Sequence, residues 1–573
     1  MEDTGDAGTP LPCIWSVAGN DSGGGAGLSA DQRAADAFGV HACPVVAAVT
    51  AQHSQAVRRV EAVSPELLAA QLDTLAEDLP PRVIKTGVLG SAANVRVLAR
   101  SIDRLRAQAP LALVVDPVLR ASSGDALADR ELLAALRAEL LPRATLLTPN
   151  RREAAALLGQ ADAPTAALPE LARAFQALGT EAVCITGGDA DADAGANDWL
   201  QAPHARGWLS GPRFATRHSH GTGCSFASAA AAALARGFVT ADALVLARMA
   251  VAEALRRDAA LAPPGGGPGP VRLQPGFARR ARALPLLWPE DHPPTETEMP
   301  ARPAPTPRGV PAAYAIVDSA QRAEVVLAAG VKTVQLRIKA AAPDAALREQ
   351  ITQALRAARQ AGALLVVNDH WALALELGAP AVHLGQEDLQ ALDATARRQL
   401  RAAQARGLQL SLSSHSLWEL SRAAAWSPAA VACGPVWPTT TKAMPWRAQG
   451  LHNLAWWCAV APAPVIAIGG ILSPAQAAEA ARCGPAAVAL VRALDADPAG
   501  ALPAYAAALA AGTASAALPV LDLPQPSLPN GLSSGLSSRL PDGMPVDSST
   551  STSGGTHHSC QKTRPAPYGL PPQ

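Results

Sequence analysis

The chain has 573 residues, 49% of them hydrophobic and 17% charged, enough apolar material for more than one sizeable core. Lys plus Arg balance Asp plus Glu at 48 each, which excludes a global field for nucleic acid or a membrane surface. Eight cysteines without a C-x-x-C pair exclude a zinc ribbon or a disulfide framework.

The start, Met1-Glu2-Asp3, is acidic and lacks a basic-then-apolar secretory pattern. The longest apolar run, Phe226–Ala235, is interrupted by Ser228 and falls far short of the roughly 20 residues a membrane span needs. The expectation is a soluble, cytoplasmic protein with no membrane or nucleic-acid partner; a homo-oligomer is left open.

From Ile14 to Phe277, β-branched runs alternate with amphipathic segments. Strands are expected at Ile14–Ala18, Pro44–Val49, Val83–Lys85, Leu111–Val115, Thr145–Thr148 and Val183–Thr186. Helices are expected at Pro65–Asp78, where Leu68, Leu72 and Leu75 recur at helical spacing, and at Arg130–Leu140. Such alternation predicts an α/β domain with a mostly parallel sheet over residues 1–277. Pro and Gly crowd the stretch from Pro263 to Pro311, so 278–310 reads as an extended linker.

Eight further strands are expected at Tyr314–Val317, Thr333–Leu336, Leu364–Val367, Ala381–Leu384, Leu410–Leu412, Ala430–Ala432, Val465–Ile468 and Ala487–Val491. With Ala/Leu/Arg-rich helical segments between most of them, they predict a (β/α)8 TIM barrel over 311–517. The Ser-, Pro- and Gly-rich residues 518–573 read as a disordered tail, and His557-His558 near Cys560 as an incidental sequence rather than a metal site.

Two sets of residues suit phosphate chemistry. In the first domain, Gly221-Thr222-Gly223-Cys224 runs into uninterrupted helix formers, so its backbone amides would face an anion at the positive end of a helix dipole. The same placement is expected to lower the Cys224 thiol pKa; the motif alone fits a plain helix N-terminus equally well. Gly19–Gly27 follows the first strand and approaches a dinucleotide fingerprint, yet Asp21-Ser22 and the early Asp31 fit a small-molecule hydroxyl or amine better. Asp116 and Glu153 lie at strand ends where carboxylates can hold Mg2+ beside nucleotide phosphates.

This half resembles the hydroxymethylpyrimidine and hydroxymethylpyrimidine-phosphate kinases, a branch of the ribokinase-like fold. The resemblance rests on Gly19–Asp31, Ala48–Gln52, Lys85-Thr86-Gly87, Val115–Val118, Thr148-Pro149-Asn150, Gly187-Gly188 and His220–Cys224. It implies that Gln52 meets the pyrimidine edge and Asp31 lies close to substrate. It also implies that Asn150 and Glu153 organise Mg2+, with Asp116 and the Gly187-Gly188 pair on the ATP side, and that Gly221, Thr222, Gly223 and Cys224 form a catalytic anion hole. Thr186 stands where many relatives have a lysine.

In the barrel, Gln335, Arg337 and Lys339 alternate with apolar residues and so leave one face of a strand end, where two cations suit a diphosphate. Asp369 and Asp388 belong to neighbouring strand ends and can bridge Mg2+ to it. Thr439, Thr441 and Lys442 add donors on a polar loop, and Gly469-Gly470 lets a phosphate approach the backbone.

This half resembles thiamine-phosphate synthase through Tyr314–Asp318, Gln335–Lys339, Asn368-Asp369, His383–Asp388, Ser413-Ser414-His415, Gly434–Lys442 and Ile468–Ile471. The resemblance implies that Gln335, Arg337, Lys339, Asn368, Ser413 and Lys442 hold a pyrimidine diphosphate. Thr439, Thr441, Gly470 and the Val491-Arg492 turn would hold a thiazole phosphate, and Asp369 and Asp388 would hold Mg2+. His370 and Arg492 depart from the family's usual Arg and Ser.

Together the resemblances imply an enzyme that makes a pyrimidine diphosphate from ATP in one half and consumes it in the other. The alternative is a pyridoxal-type vitamin kinase fused to a barrel that binds thiamine phosphate without turnover.

Overall fold

The structure, a computed structural model, describes residues 11–532 apart from 122–123, 126, 161–162, 189–195, 290–291, 296–298, 301–308, 340–343, 440–444, 495 and 531. Its first half is built on ten strands: β1 (Cys13–Asn20), β2 (His41–His53), β3 (Ala56–Ala62), β4 (Val83–Thr86), β5 (Ala112–Val115), β6 (Leu146–Leu147), β7 (Ala182–Ile185), β8 (Ala196–Gln201), β9 (Arg206–Gly211) and β10 (Leu286–Trp288). They form one sheet in the order β10-β9-β8-β7-β6-β5-β4-β1-β2-β3. The six central strands, β2 and β1 through β4–β7, are parallel; β3 on one edge and β8–β10 on the other are antiparallel. Strands β4–β7 are buried throughout, which explains why they read as continuous apolar runs.

The expected helix Pro65–Asp78 is present with those bounds, capped by Ser64. The expected Arg130–Leu140 helix is α-helical only to Ala135 and continues as a π-turn from Leu136 to Leu140. An Ala-rich helix, Thr222–Ala235, packs on Thr240–Asp258, and both are almost entirely buried.

The second half is a closed barrel of eight parallel strands: β11 (Ala312–Val317), β12 (Thr333–Leu336), β13 (Leu364–Asn368), β14 (Ala381–Leu384), β15 (Gln409–Ser414), β16 (Ala430–Cys433), β17 (Val465–Ala467) and β18 (Ala487–Leu490). Tyr314, Val366, Ala381, Ala432, Ile466, Ala487 and Ala489 fill its lumen. Strand register extends this inward row: Gln335 pairs with Val366, Asn368 with His383, and Ser413 with Ala432. The architecture expected for both halves, parallel α/β sheet followed by TIM barrel, is the one observed.

Two parts of the expected organisation need correction. The proposed linker 278–310 begins as structure, because Leu286–Trp288 adds an antiparallel strand to the edge of β9. Three apolar residues suffice there, since the sheet already offers an open edge. The proposed tail is likewise built up to Asn530. Gln525 and Asn453 exchange two hydrogen bonds, Ser527 accepts from the Arg447 N–H, and Asn530 Nδ2 donates to the Leu234 and Phe238 carbonyls at 2.8 Å each. Residues 533–573, with His557, His558 and Cys560, lie outside the described residues, as does part of the linker.

Candidate active sites

The first site gathers at the exits of β1, β4 and β5. The glycine-rich turn after β1 is organised by Asp21, whose carboxylate accepts the N–H groups of Gly23 at 2.8 Å, Gly25 at 3.0 Å and Ala26 at 2.8 Å. His220 Nε2 lies 2.9 Å from the same carboxylate. Asp21 is held below the ordinary carboxylate range: burial alone would raise it, but the bonds from His220 and the backbone amides win. Asp21 therefore serves the loop itself rather than a ligand hydroxyl or amine.

His220 leads directly into the turn that starts Thr222–Ala235. Gly221 sits at φ 78°, and a Cβ there would lie 2.2 Å from the Gly25 carbonyl, so glycine is required twice over. Thr222 Oγ1 donates to the Ser219 carbonyl at 2.7 Å, and Gly223 is exposed with open space beside it. The expected anion hole, Gly221–Cys224, thus forms the mouth of the helix N-terminus. Gln52, at the end of β2, reaches the same mouth: its backbone N–H and carbonyl both pair with Ser22 Oγ at 2.9 Å.

Beneath the mouth lies a buried charge cluster. Lys85 Nζ donates to Asp31 Oδ1 at 2.9 Å and sits 3.4 Å from Asp116 Oδ2, a contact out of hydrogen-bonding alignment. Asp31 also accepts from Ser16 Oγ at 2.5 Å and Ser228 Oγ at 2.6 Å. Burial by itself would depress Lys85, but Asp31, the Cys224 side chain and Asp116 outweigh it and hold the ammonium above its ordinary range. Asp116 is raised, chiefly by burial.

Asp31 has no exposed surface and three donors on its carboxylate, so it braces Lys85. One expectation fails here. The Cys224 thiol is not acidified: burial, reinforced by Asp116 and Asp31, pushes it up to about 12 despite Lys85 and the helix N-terminus. Lys85 carries no marker of this role in the sequence, where it sits near the end of an apolar strand run.

Asn150 and Glu153 form a capping box at the helix Arg151–Leu157: Glu153 N donates to Asn150 Oδ1 and Asn150 N to Glu153 Oε2, both at 2.9 Å. Glu153 Oε1 also accepts the Leu119 N–H at 3.3 Å, which ties it to the loop after Asp116. Gly187 N donates to Asp198 Oδ1 at 3.0 Å, and the space beside Gly188 is open.

The second site occupies the C-terminal mouth of the barrel. Gln335 and Asn368 are buried among the lumen residues, while Lys339 is exposed at the exit of β12. Asp369, immediately after β13, adopts φ 66°, a left-handed conformation that costs a non-glycine residue about 1 kcal/mol or more. Its carboxyl is pushed up to about 6 by burial and by Asp388, which it contacts directly, with Arg337 and His370 pulling the other way. Asp388 Oδ2 also accepts the Gly385 N–H at 3.2 Å. Arg337, Asp369 and Asp388 are therefore one cluster.

Ser413 is drawn into a chain that the sequence reading missed. His383, buried in the lumen, lies 2.9 Å from Ser411 Oγ through Nδ1 and 2.8 Å from Ser413 Oγ through Nε2. Burial and then Arg337 push it down to about 4, so the ring is neutral at physiological pH. Its signal was its inward parity two residues after Ala381. Gly470, at φ 72°, has the Trp437 Cβ 2.6 Å from where its own Cβ would be. Thr439 is half-buried, and Val491 opens the exposed turn that carries Arg492. Thr441 and Lys442 lie outside the described residues.

Comparison with known proteins agrees with this division. Residues 21–272 match the phosphomethylpyrimidine kinase family and residues 313–494 the thiamine monophosphate synthase family. A probable thiamine biosynthetic bifunctional enzyme from Oryza sativa, described as chloroplastic, is 32% identical over 81% of this chain and 81% of its own. The hydroxymethylpyrimidine/phosphomethylpyrimidine kinase of Synechococcus elongatus is 41% identical, covering 46% of this chain and 97% of that protein. A Bacillus subtilis pyridoxal kinase solved with ADP is 27% identical, with a TM-score of 0.42 over 46% of this chain and 98% of that one.

The fold and these matches define a two-part transferase, a phosphomethylpyrimidine kinase domain followed by a thiamine monophosphate synthase barrel. More particularly, the chain belongs to the thiamine biosynthetic bifunctional enzymes. Among the described residues no helix is long and apolar enough to cross a membrane.

Proposed function

We propose that the chain catalyses consecutive steps of thiamine biosynthesis. The first domain transfers phosphoryl groups from ATP to hydroxymethylpyrimidine and then to its monophosphate. The barrel joins the resulting diphosphate to thiazole phosphate, giving thiamine phosphate and pyrophosphate. What supports this reading most is a pair of polar clusters, a glycine turn near a buried lysine and a barrel mouth in which Arg337 lies beside Asp369, itself next to Asp388.

In the kinase, the pyrimidine hydroxymethyl oxygen attacks the γ-phosphorus while the bond to ADP breaks, its proton passing to solvent or to a phosphoryl oxygen; in the second transfer an anionic oxygen of the monophosphate is the nucleophile. Amides of the Gly221–Cys224 turn stabilise charge on the transferred group. With its thiol pushed up to about 12, Cys224 is a neutral hydrogen-bonding group rather than a base. A loose phosphoryl-transfer transition state tolerates that, because positioning and charge stabilisation dominate. Gln52 meets the pyrimidine from the β2 end.

In the synthase, the bond between the pyrimidine methylene and the diphosphate oxygen breaks, and the thiazole nitrogen supplies the electron pair that replaces it. Arg337, Lys339 and Lys442 bind the departing pyrophosphate, Gln335 and Asn368 orient the pyrimidine, and neutral His383 holds Ser413. Thr439, Thr441, Gly470 and the Val491-Arg492 turn receive the thiazole phosphate.

The donor set suits Mg2+: Asp369 and Asp388 are adjacent carboxylates, and Asp116 Oδ2 is a buried carboxylate oxygen poorly aligned with its one cation. When bound, Mg2+ neutralises phosphate oxygens and stabilises the leaving group. Asn150 and Glu153 shape the loop beside Asp116 on the ATP side. We infer a cytoplasmic location, suited to the free cysteines found among the described residues.

The test is incubation of the full chain with hydroxymethylpyrimidine, thiazole phosphate and MgATP, followed by thiochrome fluorescence. Asp369→Asn is expected to accumulate pyrimidine diphosphate without thiamine phosphate. Cys224→Ala is expected to slow the kinase, with thiamine phosphate restored by supplied pyrimidine diphosphate. Faster phosphorylation of pyridoxal, or thiazole phosphate binding without pyrophosphate release, would overturn the reading.

A further inference from the structure

The helix Leu417–Ala424 follows β15 and the Ser413–Ser416 segment of the synthase mouth. Its own cap is incomplete. Ser416 Oγ accepts the Glu419 N–H at 3.3 Å, and Glu419 Oε2 accepts the His415 N–H at 2.6 Å. That leaves the first-turn donors of Leu417 and Trp418, which need partners when buried. The partner comes from the kinase domain: Asp242, 2% exposed on Thr240–Asp258, accepts the Trp418 N–H at 3.0 Å and has the neighbouring Leu417 N–H close enough to favour its carboxylate.

A second, aromatic connection runs beside it. His204, in the turn between β8 and β9, stacks on Trp418 at 5.6 Å; Trp418 meets Trp446 at 5.3 Å, and Trp446 stacks on His415 at 5.3 Å. The same segment is fastened on the barrel side, where Gln386 Nε2 donates to the Ser413 carbonyl at 2.8 Å and Gln449 Nε2 to the His415 carbonyl at 2.7 Å. Ser413, whose hydroxyl meets His383, thus lies a few residues from a helix start that the other domain completes.

We propose that Asp242 of the kinase domain is a positioning residue for the synthase reaction, holding the Ser413–Ser416 segment through the helix it caps. The docked kinase is then part of the machinery that shapes the synthase mouth, beyond supplying its substrate. This rests on the synthase reading of the barrel. An acceptor at position 242 is what the helix needs, and asparagine caps about as well as aspartate whereas alanine does not.

The experiment uses the full chain and assays each reaction separately, with pyrimidine diphosphate and thiazole phosphate supplied for the synthase. Asp242→Ala is expected to lower synthase kcat/KM about fivefold, the scale of a lost helix cap. Asp242→Asn should restore it to within about twofold, while kinase rates stay within about twofold in both. Unchanged synthase kinetics in Asp242→Ala, or equal losses in both reactions, would overturn the proposal. If Asp242→Ala does not fold, His204→Ala decides: a weaker synthase with altered tryptophan emission supports the connection, and unaltered synthase kinetics refutes it. A wild-type chain without synthase turnover would instead refute the reading of the barrel.

Discussion

Replacing Lys85 by methionine should damage the kinase domain more than any surface substitution. The side chain is fully buried, and its ammonium lies 2.9 Å from Asp31 and 3.4 Å from Asp116. At an effective dielectric of about 20, attractions at these distances are worth about 5 kcal/mol each before the lysine's own desolvation is subtracted. Removing one partner of a buried pair costs about 3–5 kcal/mol, because the carboxylates remain without their cation. Ser16 and Ser228 still donate to Asp31, so the lower end of that range is expected. The assay is urea unfolding of the full chain, following the kinase transition by loss of activity and circular dichroism. Adding Asp31→Asn to Lys85→Met should recover part of the loss, a coupling that a double-mutant cycle measures. A destabilisation under about 1 kcal/mol, or strict additivity, would refute the cluster's role.

Further outcomes follow from the same contacts. Asp369 has a folded pKa of about 6, above the ordinary carboxylate value of 3.8, so the folded state binds the proton more tightly and the residue's contribution to stability falls as pH rises from about 4 to about 6. Thermal unfolding without divalent cations should show that fall relative to Asp369→Asn, and Mg2+ should raise the melting temperature at pH 7 but not at pH 4.5; equal pH profiles would contradict it. Gly221→Ala forces a Cβ to 2.2 Å from the Gly25 carbonyl at a positive φ, so kinase kcat should fall at least tenfold with synthase turnover intact, measured with supplied pyrimidine diphosphate. Asn530→Ala removes hydrogen bonds to Leu234, in the last turn of Thr222–Ala235, and to Phe238 just beyond it, and should lower kinase stability by about 1–2 kcal/mol in urea, whereas no change would mean the contact is incidental.

The barrel strands were legible because each is a short apolar run ending in polar residues, and all eight expected segments overlap observed strands. Leu286–Trp288 was not, since its pairing depends on an edge presented by β9 some 75 residues earlier, not on any local pattern. The antiparallel β8 and β9 escaped for a related reason: Trp199, Trp208 and buried Asp198 alternate too irregularly to announce a hairpin. Asn150 and Glu153 carry the sequence spacing of a capping box, which explains their mutual bonds without reference to a ligand. At Cys224, burial and two carboxylates from distant parts of the sequence, Asp116 and Asp31, outweigh the helix dipole. The ion pair of Asp31 was not legible because its partner, Lys85, arrives from a strand 54 positions later.

Asn530 carries an implication for how these enzymes can be taken apart. The helix Thr222–Ala235 is about 21 Å long, with the Gly221–Cys224 turn at one end and the Asn530 amide on the Leu234 carbonyl at the other. A residue from beyond the barrel therefore clasps the rear of a kinase element. Severing the polypeptide near the prolines would yield a kinase half without that clasp, expected to be about 1–2 kcal/mol less stable than in the full chain, however cleanly the two chemistries divide.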